Sequence, residues 1–193
     1  MSIPILNFDP QLLLLAQGQT PEGIRLVIFD VDGVLTDGKL YYTSEGETLK
    51  AFHVLDGQGL VFLKKAGFQL AVITGRDSPA LRRRLADLGI EQAFYGVKDK
   101  ATVADALLQQ LDLSWQHVAV MGDDWPDIPL LRQAAFSAAP AGAHAEAKAV
   151  AHYITQQQGG QGAVREFCDV LLMAGGHYGR LYTSYAQRKE NEQ

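Results

Sequence analysis

The chain has 193 residues, a length typical of one globular domain with a substantial core. Its formal net charge of −5 argues against a general nucleic-acid-binding protein, which normally presents a basic face. A single cysteine, Cys168, excludes an internal disulfide and favours a reducing compartment, and the apolar helical pattern around it predicts a core residue rather than a nucleophile.

Residues 1–23 are predicted to form an N-terminal leader with a short helix at Pro10–Gln17. The run LLLLA within it is too short to span a bilayer, and no basic residue precedes it as in a signal peptide. We therefore expect a cytoplasmic protein that neither enters a membrane nor binds nucleic acid.

From residue 24 to about residue 175, short apolar segments alternate with helical patterns. The predicted strands are Leu26–Phe29, Leu70–Ile73, Ala93–Tyr95, His117–Met121, Ala135–Ala138 and His152–Ile154. Three helices are predicted. The first is Gln58–Ala66, with Asp56 as its cap and Gly67 as its end. The second begins at Ser78 and Pro79 and reaches Leu88, and the third is Lys100–Leu111. This alternation predicts an α/β fold, a Rossmann-like parallel sheet with helices on both faces and its active site at the carboxyl ends of the strands.

Two segments depart from the alternation. GKLYYTSEGETLKAF, at about residues 38–52, contains two short β-like runs and predicts a small hairpin. Because the hairpin follows the first strand directly, we expect it to form a flap over the site. Residues 176–193 are predicted to form an extended C-terminal tail.

Carboxylates cluster where the first predicted strand ends, in VIFDVDGVLTDG. Asp30 and Asp32 are two residues apart, so their side chains share one side of an extended chain. A cation relieves the repulsion between such carboxylates, and Mg²⁺ prefers oxygen ligands. Val34 and Leu35 occupy the positions where a calcium loop needs an oxygen ligand and glycine, which excludes such a loop. The structural alternative is a tight turn at Gly33 that merely ends the strand.

Two further segments could bind a phosphoryl group. Thr74, Gly75 and Arg76 end the second strand of the sheet, where a hydroxyl and backbone N–H groups can contact phosphate oxygens. Lys100 stands at the start of a helix, a position that favours a cation only beside an anion, and Lys98 competes for the same role.

The segment GDDWPD, after a later strand, contains Asp123, Asp124 and Asp127. A helix N-cap explains one of these three carboxylates well and the others poorly. We therefore expect them to add carboxylates around the same cation.

In this order, the motifs Asp-x-Asp-Gly-Val-Leu-Thr-Asp, Thr-Gly-Arg, Lys and Gly-Asp-Asp-x-x-Asp resemble those of the haloacid dehalogenase superfamily. From about Arg25 to Ala174, including GETLKAFHVLDGQG and GGQGAVREFCDVLL, the chain is similar to the family of 3-deoxy-D-manno-octulosonate 8-phosphate phosphatases. The resemblance implies a Mg²⁺-dependent homotetrameric phosphatase without a cap domain. It would hydrolyse that sugar phosphate through an aspartyl phosphate, in lipopolysaccharide biosynthesis.

The resemblance also implies roles for single residues. Asp30 is the nucleophile and Asp32 the general acid and base. The carboxylates of Asp30 and Asp123 and the carbonyl of Asp32 hold the Mg²⁺, and Thr74 and Lys100 hold the phosphoryl group. The remaining implied residues are Asp124 and Asp127 as supports of the metal site, and Asp32, His53, Asp56, Gly57, Gly75, Arg76, Arg84 and Lys100 as substrate contacts.

This chain departs from the family pattern after the hairpin. It has Leu55 and Val61 where the family often has arginine. Arg82, Arg83 or Arg165 of a neighbouring subunit are the candidates to supply the missing positive charge.

The spacing of the motifs limits what can cover the site. Only 41 residues separate Asp32 from Thr74, and 25 separate Thr74 from Lys100, so neither interval has room for a cap domain. Because water exclusion and added contacts give an enzyme its specificity, we expect the hairpin, the tail and neighbouring subunits to cover the site.

Several alternatives remain open from the sequence. A signalling receiver domain also uses an aspartate phosphoacceptor, magnesium, Thr and Lys, but needs no acid and base two residues after the acceptor. A non-catalytic subunit derived from a phosphatase is disfavoured because all four motifs are intact. Phosphatases for a nine-carbon sugar acid 9-phosphate resemble this chain across the same motifs.

Overall fold

The computed structural model describes residues 6, 8–18, 20, 23–44 and 46–187. The helices are α1 Pro10–Ala16, α2 Val54–Ala66, α3 Pro79–Asp87, α4 Lys100–Leu111, α5 Ile128–Gln133, α6 Ala145–Val150, α7 Ala163–Ala174 and α8 Tyr178–Ala186. The strands are β1 Leu26–Phe29, β2 Tyr41–Thr43, β3 Gly46–Leu49, β4 Gln69–Ile73, β5 Gln92–Phe94, β6 Val118–Met121, β7 Phe136–Ala139 and β8 Tyr153–Ile154. Short 3₁₀ helices occupy Trp115–His117 and Trp125–Asp127.

Six of the strands form one parallel sheet in the order β5-β4-β1-β6-β7-β8. Central β1 pairs with β4 on one side and β6 on the other, with Ile28 opposite both Ala71 and Val120. After β1 the chain adds β4 and β5 on one side of it, and it then adds β6, β7 and β8 on the other side. This reversal of strand order opens a crevice at the carboxyl ends of β1 and β6. The predicted α/β fold and all six predicted strands are confirmed, with ends that differ by at most one residue.

Apolar side chains of β1 point alternately to the two faces of the sheet. Val27 and Phe29 belong to a core shared with α1, α2 and α7, whereas Leu26 and Ile28 pack with α4 and α5. The ring of Phe29 meets that of Phe167 edge-on at a centroid distance of 6.0 Å. Because burying each such side chain contributes roughly 1.5–3 kcal/mol, both faces hold β1, and with it the residues that follow the strand, firmly in place.

The predicted hairpin is present. β2 and β3 pair antiparallel, with Tyr41 opposite Leu49, directly after the loop that follows β1. Lys50, the residue after β3, is buried, and the chain then enters α2 at Val54.

Helix α2 begins earlier than predicted, and the prediction that Asp56 caps it is wrong. The N-cap position is His53, and Asp56 lies buried in the first turn. Its carboxylate instead accepts hydrogen bonds from the backbone N–H groups of Gly162 (3.3 Å) and Arg165 (2.8 Å). Asp56 therefore caps the start of α7, where unpaired N–H groups need an acceptor.

The prediction of an extended C-terminal tail is also wrong for its described part. Residues 178–186 form α8, in which the ring of Tyr185 meets that of Phe62 at 5.4 Å and its hydroxyl accepts a hydrogen bond from Lys65 Nζ at 2.6 Å. Tyrosines at helical spacing give this polar segment a face that packs on α2. Residues 188–193 of the predicted tail, and residues 1–5, 7, 19 and 21–22 of the leader, lie outside the described residues.

Two other predictions concern burial and membranes. Cys168 is completely buried, and burial raises the pKa of its thiol well above the usual value, so the prediction of a core residue is confirmed. In the described part of the chain, no helix combines the length and the apolar character that crossing a bilayer requires.

Candidate active site

The loops that follow β1 and β6 bring three carboxylates together. The backbone N–H of Asp30 donates to the carbonyl of Met121 at 3.0 Å, which extends the β1–β6 pairing to the residue after the strand. Side-chain oxygens of Asp30, Asp123 and Asp127 all lie within 4.8 Å of one another. This spacing allows one small cation to contact oxygens from different loops.

Lys100 also reaches this cluster. Its Nζ lies 2.7 Å from Asp30 Oδ1 and 2.6 Å from Asp127 Oδ1, and its side chain is only 6% exposed. Lys98, the competing candidate, is exposed. Asp99 caps α4 by accepting from the N–H of Thr102 at 3.1 Å, and this cap turns Lys100 inward.

Asp127 and Asp124 differ in their surroundings. Asp127 is buried, and its second oxygen accepts from the N–H groups of Asp123 (3.1 Å) and Asp124 (3.3 Å). Asp124 is exposed. Asp127 therefore holds both the loop after β6 and the ammonium of Lys100 in place.

Glycines allow the loops around Asp30 to approach one another closely. Gly33 has a φ of +88°, and a Cβ at this position would lie 2.0 Å from Asp123 Oδ2. Gly160 donates its N–H to the carbonyl of Val34 at 3.0 Å, and a Cβ on Gly159 would lie 1.8 Å from the carbonyl oxygen of Gly33. The GGQG segment thus supports the Asp-x-Asp-Gly loop, a role that sequence reasoning missed.

A second group of charges surrounds Asp32. Lys50 Nζ donates to Asp32 Oδ1, and Arg76 Nε lies 3.9 Å from Asp32 Oδ2. Arg76 also donates to the hydroxyl of Tyr42, in β2, at 2.6 Å. Sequence reasoning missed Lys50, although a lone charge within the apolar LKAF after the hairpin was the available signal.

Thr74 and Gly75 lie where the sequence predicts them, at the carboxyl end of β4. The N–H of Thr74 donates to the carbonyl of Phe94 at 3.0 Å, and its side chain is buried. Its hydroxyl accepts from the N–H of Arg76 at 3.4 Å, a long hydrogen bond that leaves the hydroxyl proton available to a ligand.

The remaining predicted substrate contacts form a separate group between helices. Arg84 packs against Gly57, where a Cβ would lie 2.1 Å from its Nη2, and its guanidinium lies 5.8 Å from the ring of Phe52. His53 Nδ1 lies 3.9 Å from Asp56 Oδ2, and Asp56 is bonded to α7 as described above. The contacts described here for Gly57, Asp56 and Arg84 hold helices together.

The arginines predicted to replace the missing family arginines each have a partner in their own chain. Arg82 Nη2 lies 2.7 Å from Asp77, Arg83 Nε 3.0 Å from Asp87, and Arg165 Nε 2.9 Å from Asp169. Leu55 is 54% exposed. A substrate anion would have to compete with these ion pairs.

Electrostatics leave the carboxylate cluster short of positive charge. Burial, with the neighbouring Asp127, raises the pKa of Asp30 to about 7, although Lys100 opposes the shift. Burial, with Asp30 and Asp127, raises the pKa of Asp123 to about 8. Burial alone would lower the pKa of Lys100, but the carboxylates of Asp30 and Asp127 outweigh it and raise that pKa. One ammonium does not balance three carboxylates, so the cluster favours protons or a further cation.

Known proteins share both the sequence and the fold. Residues 96–167 match the model of haloacid dehalogenase-like hydrolases. The chain is 45% identical over 158 residues to 3-deoxy-D-manno-octulosonate 8-phosphate phosphatase KdsC of Haemophilus influenzae, across 82% of this chain and 88% of that protein. The chain belongs to the 3-deoxy-D-manno-octulosonate 8-phosphate phosphatase family. Membership confirms the resemblance and favours a phosphatase over a receiver domain.

Solved structures of this family have the same architecture. A probable YrbI family phosphatase from Pseudomonas syringae is 41% identical, with a TM-score of 0.87 over 93% of this chain and 99% of that one. The family enzyme from Moraxella catarrhalis, solved with a magnesium ion, a phosphate ion and a KDO molecule, is 39% identical, with a TM-score of 0.85 over 91% of this chain and 98% of that one. The phosphatase fold therefore extends over almost the whole chain.

Proposed function

We propose that this protein is a Mg²⁺-dependent phosphatase that hydrolyses 3-deoxy-D-manno-octulosonate 8-phosphate to the free sugar acid and phosphate in the cytoplasm, as a step of lipopolysaccharide biosynthesis. The observation that carries the proposal is the meeting of Asp30, Asp123, Asp127 and Lys100 at the carboxyl end of the sheet, with Asp32 two residues after Asp30. The family relatives, 45% identical in one case, support the choice of substrate.

Mg²⁺ fits the residues present. The donors are oxygens only, and they come from two loops. Burial, together with the neighbouring carboxylates, raises the pKa values of Asp30 and Asp123, so a cation at this site would favour their ionised forms. The carboxylates of Asp30 and Asp123 and the carbonyl of Asp32 would hold the ion, with Asp127 and Asp124 supporting them. When bound, Mg²⁺ neutralises the phosphoryl oxygens and so lets one anion attack another.

The residues of the chain divide the reaction into two steps. Asp30 attacks phosphorus as the bond to the sugar oxygen breaks, and Asp32 gives that oxygen a proton. Asp32 then takes a proton from a water, which attacks phosphorus and releases phosphate from Asp30. Lys100 and the hydroxyl of Thr74 bind the phosphoryl oxygens throughout and stabilise charge in the transition state.

Two residues at the end of β4 have the best position to contact the rest of the substrate. Gly75 offers a backbone N–H, and Arg76 offers a cation beside Asp32 that the carboxylate of a sugar acid can pair with. His53, Asp56, Gly57 and Arg84 are better assigned to the packing of α2 against α3 and α7 than to direct contact, given their present partners.

We also propose a homotetramer whose subunits cover one another's sites. The hairpin and the start of α2 expose large apolar side chains, at Leu40, Tyr42, Leu49, Val54 and Leu55. Large apolar side chains that are exposed in one subunit and come from neighbouring elements are typical of a surface that a second subunit covers.

Placing a charge on this surface should therefore separate the subunits. Val54 is 79% exposed, so Val54→Glu should not disturb the fold of one subunit. We expect sedimentation to show smaller species than the tetramer proposed for the unchanged protein. The kcat/KM values of the variant should also differ less among sugar phosphates. A monomeric unchanged protein with full activity and selectivity would contradict the proposal.

Mg²⁺ affinity should depend strongly on pH. The pKa values of about 7 for Asp30 and about 8 for Asp123 lie above the usual 3.8, so the folded metal-free protein binds extra protons and loses stability as pH rises toward 8. Mg²⁺ must displace these protons. Because both carboxylates are protonated below about pH 7, we expect the dissociation constant of Mg²⁺ to fall by roughly 50-fold between pH 6 and 7. It should fall by about tenfold between pH 7 and 8, where only Asp123 still has to lose a proton, and level off above about pH 8.

The measurement is a titration of the unfolding temperature with Mg²⁺ at several pH values. Asp87→Asn, which removes an exposed carboxylate paired with Arg83, should keep the same pH dependence. Asp123→Asn should lose most of the Mg²⁺ effect at every pH. An affinity that does not change with pH would mean that the carboxylates bind no extra protons before the metal enters.

A panel of phosphate esters tests the proposed substrate. With Mg²⁺ present, kcat/KM should be highest for the eight-carbon sugar acid 8-phosphate, lower for a nine-carbon sugar acid 9-phosphate, and lowest for p-nitrophenyl phosphate. If the nine-carbon ester is preferred, the enzyme class stands and the substrate assignment is wrong.

A further inference from the structure

Lys50 is a buried cation that the proposed reaction does not use. It is the first residue after β3, and its side chain is 1% exposed. Burying an ammonium costs several kcal/mol unless a carboxylate and good hydrogen bonds compensate. Its Nζ donates to Oδ1 of Asp32, whose side chain is 20% exposed and thus open to solvent on another side.

The hairpin reaches Asp32 along two routes. Lys50, which directly follows β3, binds Oδ1 directly. On the other side, Arg76 Nε lies 3.9 Å from Oδ2, and the same guanidinium donates to the hydroxyl of Tyr42, in β2, at 2.6 Å. Both strands of the hairpin are therefore connected to one carboxylate.

A carboxylate has two equivalent oxygens and rotates about its last bond. A general acid is effective only when the oxygen that carries the proton lies within hydrogen-bond reach of the leaving oxygen. An ammonium bound to Oδ1 removes that rotation and leaves Oδ2 as the oxygen that can exchange a proton. Lys100 has no such effect, since its contacts are with Asp30 and Asp127.

We propose that Lys50 is a positioning residue that orients Asp32 for proton transfer and so connects the hairpin to the acid and base of the reaction. The inference rests on the proposed function, because it requires Asp32 to give a proton to the leaving oxygen and to take one from water. It is specific to the steps in which Asp32 moves a proton. Attack by Asp30 on an ester whose leaving group needs no proton does not depend on it.

The test compares Lys50→Met with Lys50→Arg in the full chain with Mg²⁺. For the sugar phosphate, whose alkoxide leaves poorly, Lys50→Met should lower kcat about 100-fold with KM changed less than about threefold. For p-nitrophenyl phosphate, which needs no acid, rapid mixing should show a burst of about one p-nitrophenol per site at nearly the normal rate, followed by slow turnover. Lys50→Arg should restore part of kcat because it keeps a cation beside Asp32.

Lys39→Met is the matched control. Lys39 precedes the first strand of the same hairpin, pairs with Asp37 at 3.1 Å and is 69% exposed, so its replacement should change kcat less than about twofold. Loss of the burst in Lys50→Met would show that Lys50 acts on attack by Asp30, and an unchanged kcat would show that it does not act; either result overturns the inference. If Lys50→Met does not fold, Lys50→Gln and Lys50→Arg are compared in the same way.

The outcome is separable from that of the proposed function. If the unchanged protein hydrolyses neither ester, the proposed function is wrong. If the unchanged protein turns over both and Lys50→Met behaves like it, only the role of Lys50 is wrong.

Discussion

Asp30→Asn should abolish turnover. The amide has nearly the same shape and can still lie beside Lys100, but it cannot attack phosphorus, so we expect kcat to fall by at least about 10⁴-fold. Release of inorganic phosphate from the sugar ester, followed over hours, measures a loss of this size. Asp127, a neighbouring carboxylate, should not take over the attack, because it is engaged with Lys100 and with two backbone N–H groups.

This loss should not come from unfolding. Burial raises the pKa of Asp30 to about 7, so the ionised carboxylate destabilises the metal-free protein above that pH, and a neutral amide removes the penalty. Asp30→Asn should therefore unfold at the same or a higher temperature than the unchanged protein at about pH 8 without Mg²⁺. Asp87→Asn should keep full activity. Residual activity of Asp30→Asn within tenfold of normal would mean that another group attacks the ester.

Lys100→Met should have the second largest effect. The buried ammonium contacts Asp30 and, in the proposed reaction, a phosphoryl oxygen, where low dielectric makes its charge more effective than in water. We expect kcat to fall about 10³-fold, the upper range for losing one group that stabilises transition-state charge. The unfolding temperature should also fall, more at high pH, because Asp30 and Asp127 lose their cation.

Lys98→Met separates the two lysines that the sequence left as alternatives. Lys98 is two residues away and exposed, so its replacement should change kcat less than about twofold. Steady-state rates of both variants with saturating Mg²⁺ and sugar phosphate make the comparison. Equal losses in the two variants would show that the charge of the segment matters and not the contact made by Lys100.

Local patterns were enough to predict the sheet and the meeting of the carboxylates at its edge. The apolar run before Asp30 and the run before Asp123 read as buried strands, and parallel strands bring their carboxyl ends to one edge. The two carboxylates at these ends therefore had to meet once the sheet formed. Lys100 was predictable for a similar reason, as it starts a helix that follows another strand of the same sheet.

Other features depend on contacts that no local pattern contains. Asp56 reads as the cap of its own helix, but it caps α7 at Gly162, 106 residues further along the chain. Lys50 is attached to Asp32 only because the hairpin folds back over the loop after β1. Helix α8 looked like a tail because tyrosines make its packing contacts, and their contact with α2, such as that of Tyr185 with Phe62, is visible only in the folded chain.

Chemical trapping of the phosphoryl group on the enzyme tests the reaction most directly. Asp32→Asn, mixed with Mg²⁺ and p-nitrophenyl phosphate, can still be phosphorylated because this leaving group needs no acid, but it lacks the base for the second step. Quenching followed by borohydride reduction should convert Asp30 to homoserine in the peptide that contains it, and this product should be missing from Asp30→Asn/Asp32→Asn. Homoserine at a different position, or burst release of p-nitrophenol with Asp30 unmodified, would contradict attack by Asp30.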